Sequence, residues 1–347
     1  MGLLNGMPQL DRARLAWILD KIGSIRVGVI GDGALDVYWR ADMTRSELSR
    51  ETPHYPLPVV EERFTLGAAA NVAMNAKALG AHTVSLLTVA GEDWRGRELA
   101  ALLQENGIDA SYLIRSRSRI TPAYIKPLRQ GYGPVVYEDP RLDFANHAPL
   151  PSAEEASVID GLGRLAAASD IIAVADQFAL GIITAGVRAK LAPVYDECPV
   201  VADSRSHIGE FRGVIVKPND VEAARAVHAE QQTPPNRQDI PCLANALRRR
   251  TGKPVIITLG EEGALWADGE DTVLVSACKV EPPLDIVGAG DAFLAAFCCA
   301  YAAGAAGPEA LALANLASGV VVGKIGTTGT AAPEEILAMY DRQRSGC

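Results

Sequence analysis

This sequence predicts an α/β fold, a mostly parallel sheet wrapped by helices, on three observations. Short apolar runs ("RVGVIGD", "TVSLLTVAG", "DIIAVAD", "CPVVAD", "GVIVKPN", "PVIITLG") alternate with longer helical patterns, as in chains of strand–helix–strand units. Several runs end on a polar residue, Asp32, Asp176, Asp203 or Asn219, and in open α/β sheets ligands gather outside the carboxyl ends of strands. The 347 residues, 48% hydrophobic and 22% charged, suit one large globular unit with a small appendage.

Taken in chain order, the opening segment carries Leu10, Leu15, Ile18, Leu19 and Ile22 among charges, the pattern of an amphipathic helix rather than a signal peptide. No apolar run is long enough to span a bilayer, so no membrane partner is expected. The six cysteines (Cys198, Cys242, Cys278, Cys298, Cys299, Cys347) lack CxxC spacing and point to reduced thiols in a cytoplasmic protein. A net charge of -9 and a pI near 5.2 argue against nucleic acid as a partner.

"VIGDGALD" has Gly31 and Gly33 of a dinucleotide fingerprint, but Asp36 occupies the third glycine's place, where a carboxylate would repel a pyrophosphate. Asp32 and Asp36 suit either the binding of adjacent sugar hydroxyls or a self-stabilised Asx turn. Residues 37–66 and 115–148 are rich in Pro, Arg and β-formers and break the alternation, as a small β lid or as decorative edge strands. "LGAAANVAM" runs Gly67 and small residues into a helix with Asn71 one turn inside, for close approach to a ligand or for tight packing. "VKPNDVEAA" puts Asn219 and Glu222 three apart at a helix start, facing one ligand or forming a capping box. "TLGEEGALW", with Thr258, Gly260 and Gly263, fits a hairpin or a turn around nucleotide phosphates. "DIVGAGDAF" sets Gly288, Ala289 and Gly290 before Asp291 at the head of an apolar helix, either as an anion-holding first turn or as a tight turn with a capping Asp.

Jointly, "GDGALD", "GAAAN", "GEDWRG", "KPNDVE", "TLGEEGA" and "DIVGAGD" resemble, in order and spacing, the ribokinase-like (PfkB) family of sugar kinases, over nearly the whole chain. Within it, "PHYPLPVV" and "ANLASGVVVGKIGTTGT" are similar to stretches of the heptose 7-phosphate kinase domain of lipopolysaccharide biosynthesis. The resemblance implies a single kinase domain with a β lid that mediates a homodimer, using ATP, Mg2+ and in many relatives K+. Asp291 would then be the catalytic base, with the amides of Gly288, Ala289 and Gly290 as an anion hole. Asp32, Asp36, Gly67 and Asn71 would hold the sugar, with Asp176 and Arg205 beside it. Asn219 and Glu222 would organise Mg2+ and phosphate, Thr258, Gly260 and Gly263 the nucleotide, Asn315 the adenine, and Asp285 a monovalent cation. The substrate would be a sugar or sugar phosphate, with heptose 7-phosphate phosphorylated at the anomeric hydroxyl as the nearest candidate. The chain departs from the heptose kinases at "ADQFALG", which lacks their lysine, and at Asp203–Ser204–Arg205, where Arg205 replaces a lysine. Another sugar or a nucleoside as substrate, a non-catalytic sugar or nucleotide binder on the same scaffold and, more distantly, a nicotinamide oxidoreductase are the competing readings.

Overall fold

The computed structural model describes residues 4–5, 10–228, 233–269 and 272–345; Cys347 lies outside them. The first half of the chain runs β1 (Leu4–Asn5), α1 (Arg12–Ile22), β2 (Arg26–Gly31), β3 (Gly33–Asp42), β4 (Val59–Ala68), α2 (Ala69–Ala78), β5 (Thr83–Gly91), α3 (Trp94–Glu105), β6 (Leu113–Ser116), β7 (Ala123–Gln130), β8 (Val136–Glu138), β9 (Leu142–Phe144) and α4 (Ser152–Ala168). The second half runs β10 (Ile171–Asp176), α5 (Ala185–Tyr195), β11 (Val200–Ser204), β12 (Ile215–Val216), α6 (Asp220–Val227), α7 (Ile240–Thr251), β13 (Val255–Thr258), β14 (Ala264–Ala267), β15 (Thr272–Val275), α8 (Ala289–Ala302), α9 (Gly307–Val322) and α10 (Pro333–Ser345). Helix α1 is the amphipathic helix expected from the sequence: Asp11 accepts the Arg14 N–H at 2.7 Å, and Leu15, Ile18, Leu19 and Ile22 are buried.

Ten strands form the main sheet in the order β1-β15-β14-β13-β12-β11-β10-β2-β5-β6, parallel except where β14 pairs with β13 and β15. Because successive side chains alternate between faces, each central strand feeds two cores. Val27 and Val29 of β2 and Ala173 of β10 pack with α1, α2, α8 and α9 on one face, while Ile30, Ile172 and Val174 pack with α4, α5 and α7 on the other. Strand order reverses about β2, which opens a crevice at the carboxyl ends of β2 and β10.

The stretches that break the alternation build a second, smaller sheet, β4-β3-β7-β8, with β9 also paired to β7. Its boundaries differ from those expected: β3 begins at Gly33 and β4 runs to Ala68, while Leu113–Ser116 belongs to the main sheet as β6. After β2 the chain thus enters another strand rather than the helix a dinucleotide fingerprint requires.

Helix α8 is apolar all round and buried from Ala292 to Ala300, as a helix enclosed by other helices must be. Its first turn is set by Gly288, whose φ of +80° suits glycine. From below, the Ser318 hydroxyl of α9 donates to the Ala289 carbonyl at 3.0 Å.

Candidate active site

The inner face of the second sheet and the carboxyl ends of the main-sheet strands enclose a cavity of about 530 Å³. Asp36, Tyr38, Tyr124 and Lys126 line it from β3 and β7, joined by Glu138 and Arg141; alternation along β7 turns Tyr124 and Lys126 to the same face. The opposite wall carries Asp203, Arg205, Lys217, Asn219, Glu222 and Thr258 at the strand ends, and Asp285, Gly288, Gly290 and Asp291 at the head of α8. Gly326 and Thr328, from the loop between α9 and α10, join the two walls: Arg63 donates to the Gly326 carbonyl at 2.6 Å, and the Thr65 and Thr328 hydroxyls lie 3.1 Å apart.

Asp291 faces this cavity, and the Asn71 amide donates to its Oδ2 at 2.7 Å across 220 residues of chain. Burial raises its pKa to about 7, with Asp203 and Asp36 adding repulsion and the Asn71 bond and Lys217 opposing. A carboxylate titrating near neutrality is suited to accept a proton and give it up again. Asn71 thus orients Asp291 through one N–H of its amide, while its Oδ1 accepts from Asn75 Nδ2 at 3.1 Å. Among the described residues the N–H groups of Gly288 and Gly290 have no protein acceptor, whereas Ala289 donates to Ile286 O at 3.2 Å. The expected three-amide anion hole loses its Ala289 member to a turn.

Asp36 is 5% exposed and its carboxylate makes no hydrogen bond among the described residues, so its oxygens are free for ligand hydroxyls. Burial raises its pKa, opposed by Lys126 and Arg141. Gly67, opposite Ala34 on the paired strand, leaves room for that carboxylate, since a Cβ there would stand 3.3 Å from Asp36 Oδ1. The neighbouring Ala68 adopts φ +52° and ψ -128°, a region that strongly favours glycine.

Other expected site residues are committed to the protein. Asp32 accepts N–H groups from Gln177, Phe178 and Ile182 at 2.8–3.0 Å and does not line the cavity, so it ties down a loop instead of a sugar. Asp176 accepts from Ser204 Oγ at 2.6 Å and lies 2.9 Å from His207 Nδ1; it braces the turn whose Arg205 reaches the cavity. Asn219 and Glu222 form the capping box, with reciprocal bonds of 2.8 Å, while still lining the cavity. Gly260 and Gly263 turn the β13–β14 hairpin outside the cavity, and a Cβ on Gly263 would lie 2.0 Å from Val275 O. Asn315, 6% exposed, donates to the carbonyls of Val275 and Ser276 at 3.0 Å, a structural tie rather than an adenine contact. Asp285 accepts from Val287 N and Gly326 N, at 3.0 and 2.9 Å.

Sequence reasoning missed Lys217, Tyr38, Tyr124, Lys126, Glu138 and Arg141 as cavity residues. The alternation of Tyr124 and Lys126 along a strand was the one available signal; Arg141 comes from a loop without one.

Residues 37–335 match the pfkB family carbohydrate kinase description. The chain belongs to the PfkB family of carbohydrate kinases. Such kinases are phosphotransferases acting on a sugar hydroxyl. The kinase is 32% identical over 335 residues to the bifunctional protein HldE of Hyphomonas neptunium, covering 94% of this chain and 65% of that protein. The chain thus spans just under two thirds of the bifunctional relatives it matches first. It is also 32% identical over 325 residues to the D-beta-D-heptose 7-phosphate kinase of Bordetella bronchiseptica, covering 91% of this chain and 96% of that one. The fold is ribokinase-like: phosphofructokinase-2 of Escherichia coli in complex with potassium superposes with a TM-score of 0.72 at 18% identity, over 92% and 99% of the two chains. Ribokinase of Arabidopsis thaliana complexed with ribose and ATP gives 0.68 at 18%, over 91% and 98%. No helix among the described residues is long and apolar enough to cross a membrane.

Proposed function

We propose that this kinase transfers the γ-phosphoryl group of ATP to a hydroxyl of a phosphorylated sugar, with D-glycero-D-manno-heptose 7-phosphate, phosphorylated at its anomeric hydroxyl, as first candidate. The observation that carries the reading is the cavity-facing Asp291, held by Asn71 beside the open amides of Gly288 and Gly290 and opposite the unpartnered Asp36. Asp36 accepts hydroxyls of the sugar and fixes its attitude. Asp291 takes the proton from the attacking hydroxyl as its oxygen bonds to the γ-phosphorus and the bond from that phosphorus to the bridging oxygen of ADP breaks. The amides receive charge on the transferring group; preorganised donors of this kind need no rearrangement when charge develops.

Lys126, Arg141 and Arg205 bring three cations to the acceptor end of the cavity, which supports an acceptor that already carries a phosphate. The donor set suits Mg2+ held chiefly by nucleotide phosphates and water, with the Glu222 carboxylate, raised in pKa by burial, at the cavity wall. When bound, Mg2+ would neutralise charge on the phosphates. The Asp285 turn, tied to Gly326, is the proposed neighbourhood of a monovalent cation, to be tested by exchanging K+ for Na+.

The second sheet is proposed as a lid and as a homodimer surface. Val59, Val60, Val136 and Tyr137 are exposed on it, and sedimentation of the wild type against a Val60→Lys variant tests the dimer. The five free cysteines among the described residues support a cytoplasmic setting. ADP release measured across hexoses, heptoses and their phosphates tests the whole reading. Turnover is expected with heptose 7-phosphate, and faster turnover of an unphosphorylated sugar would overturn the substrate assignment.

A further inference from the structure

Tyr124 stands on β7 in register with Asp36 of β3 on one flank and Asp143 of β9 on the other. Two neighbours fix its ring. Phe178, from the loop after β10, stacks on it with centroids 5.8 Å apart and planes 24° apart, so a residue of the second sheet meets the main sheet here. The Arg141 guanidinium lies over the ring, 4.4 Å from its centroid, and is itself held by Asp143, which accepts from Nε at 2.6 Å and from Nη2 at 2.8 Å. Phe178 is anchored in turn, because its N–H and that of Gln177 both donate to Asp32 Oδ2 at 3.0 Å.

With the ring engaged in these contacts, what Tyr124 offers a ligand is its hydroxyl. That hydroxyl makes no hydrogen bond among the described residues, and it is not sealed in the core: Tyr124 lines the cavity. Burial raises its pKa above the ordinary 10, against the pull of Arg205 and Arg141, so near neutral pH it is a phenol with a proton to donate. Arg205 and Arg141 line the same cavity, and Arg205 makes no ion pair among the described residues. A neutral donor beside two guanidiniums complements an anion with several acceptor oxygens, as a phosphate monoester has. The cations alone would attract any anion, nucleotide phosphates included. A phenol held in place adds a directional contact that only a correctly placed oxygen can meet.

Resting on the acceptor reading above, we propose that Tyr124 is a specificity-determining residue whose hydroxyl donates a hydrogen bond to the phosphate of a phosphorylated sugar acceptor, beside Arg141 and Arg205. Phe178 is its positioning residue, holding the ring so that the hydroxyl stands where that phosphate arrives.

The test compares wild type, Tyr124→Phe, Phe178→Leu and the double variant. Tyr124→Phe keeps the ring, the stack and the Arg141 contact and removes a single oxygen, so it leaves the packing of the two sheets in place. Calorimetry with heptose 7-phosphate, unphosphorylated heptose and Mg-ATP, and turnover with ATP and heptose 7-phosphate, are the readouts. In Tyr124→Phe, affinity for heptose 7-phosphate is expected to fall about 10- to 100-fold, the range for losing a hydrogen bond to a charged group, with the other two ligands within about 2-fold. KM for heptose 7-phosphate should rise in parallel with kcat little changed, as for a contact made equally before and during transfer. Phe178→Leu should weaken heptose 7-phosphate binding about 3-fold or more in wild type and no further in Tyr124→Phe, since it acts through the phenol.

Equal affinity for heptose 7-phosphate in wild type and Tyr124→Phe would reduce Tyr124 to a packing contact between the sheets and overturn the proposal. Equal losses for the phosphorylated and the free sugar would place the hydroxyl on the sugar ring and overturn it as well. Equal losses from Phe178→Leu in both backgrounds would strike Phe178 from its role. If the wild type binds heptose 7-phosphate but releases no ADP, the kinase reading fails and the calorimetry still decides the Tyr124 contact. If the wild type binds no heptose 7-phosphate, the acceptor reading and this proposal fall together.

Discussion

Replacing Asp291 by asparagine keeps the size and the Asn71 contact while removing the charge, so it separates the base from the scaffold. A rise from the ordinary 3.8 to about 7 means the folded protein holds this proton more tightly than the unfolded chain does. The sign follows: stability from this group is greatest at low pH and is lost as pH climbs from 3.8 through about 7. At ~1.36 kcal/mol per pH unit the penalty above pH 7 is at most about 4 kcal/mol, and water in the cavity reduces it to roughly 1–3 kcal/mol. Asp291→Asn is therefore expected to be more stable than wild type in urea at pH 8, with at least half of that gap gone at pH 5. In the same preparation kcat is expected to fall ~100- to 10,000-fold, the range for loss of a positioned general base. Wild-type kcat itself should drop about tenfold per pH unit below 7, as the base takes up its proton. A variant that turns over within tenfold of wild type, or that is less stable at pH 8, would refute the assignment of Asp291 as a strained, cavity-facing base.

Asp32→Ala leaves one buried and two part-buried loop amides without an acceptor, and a loss of ~2–3 kcal/mol in urea stability is expected with ATP affinity unchanged; a large fall in acceptor affinity with intact stability would return Asp32 to the binding site. Ala68→Gly relieves a positive φ, and the strain of ~1–3 kcal/mol less the ~0.5–1 kcal/mol cost of glycine predicts a net gain near 1 kcal/mol by chemical denaturation. Lys126→Met and Arg141→Met should each raise KM for heptose 7-phosphate about 10-fold or more while leaving KM for ATP in place, and an equal effect on both substrates would remove these cations from the acceptor end.

Much of the architecture was legible because its signals are local. The six apolar runs became β2, β5, β10, β11, β12 and β13, since strands buried on both faces must be continuously apolar. The head of α8 was legible for the same reason: glycines beside a carboxylate before an apolar run constrain their own backbone. Individual roles were less so. Asp32, Asp176 and Asn315 carry the right groups in the right motifs, yet each spends its hydrogen bonds on main chain or neighbours brought from 28 to 150 residues away. A motif states which atoms are present, whereas the fold states which of them remain unpaired.

By itself the sequence determined an α/β chain with a parallel sheet, a helix opening on Gly288–Asp291, and membership in a kinase family, because periodicity, glycine placement and motif order are properties of neighbours in the chain. Only the tertiary structure decided that Asn71 donates to Asp291, that Lys217 stands beside Asp203 inside the cavity, and that Lys126 and Arg141 line that same cavity. Those facts depend on which segments the two sheets press together, and on the burial that shifts a carboxylate toward neutrality. Neither is encoded within any single stretch of residues.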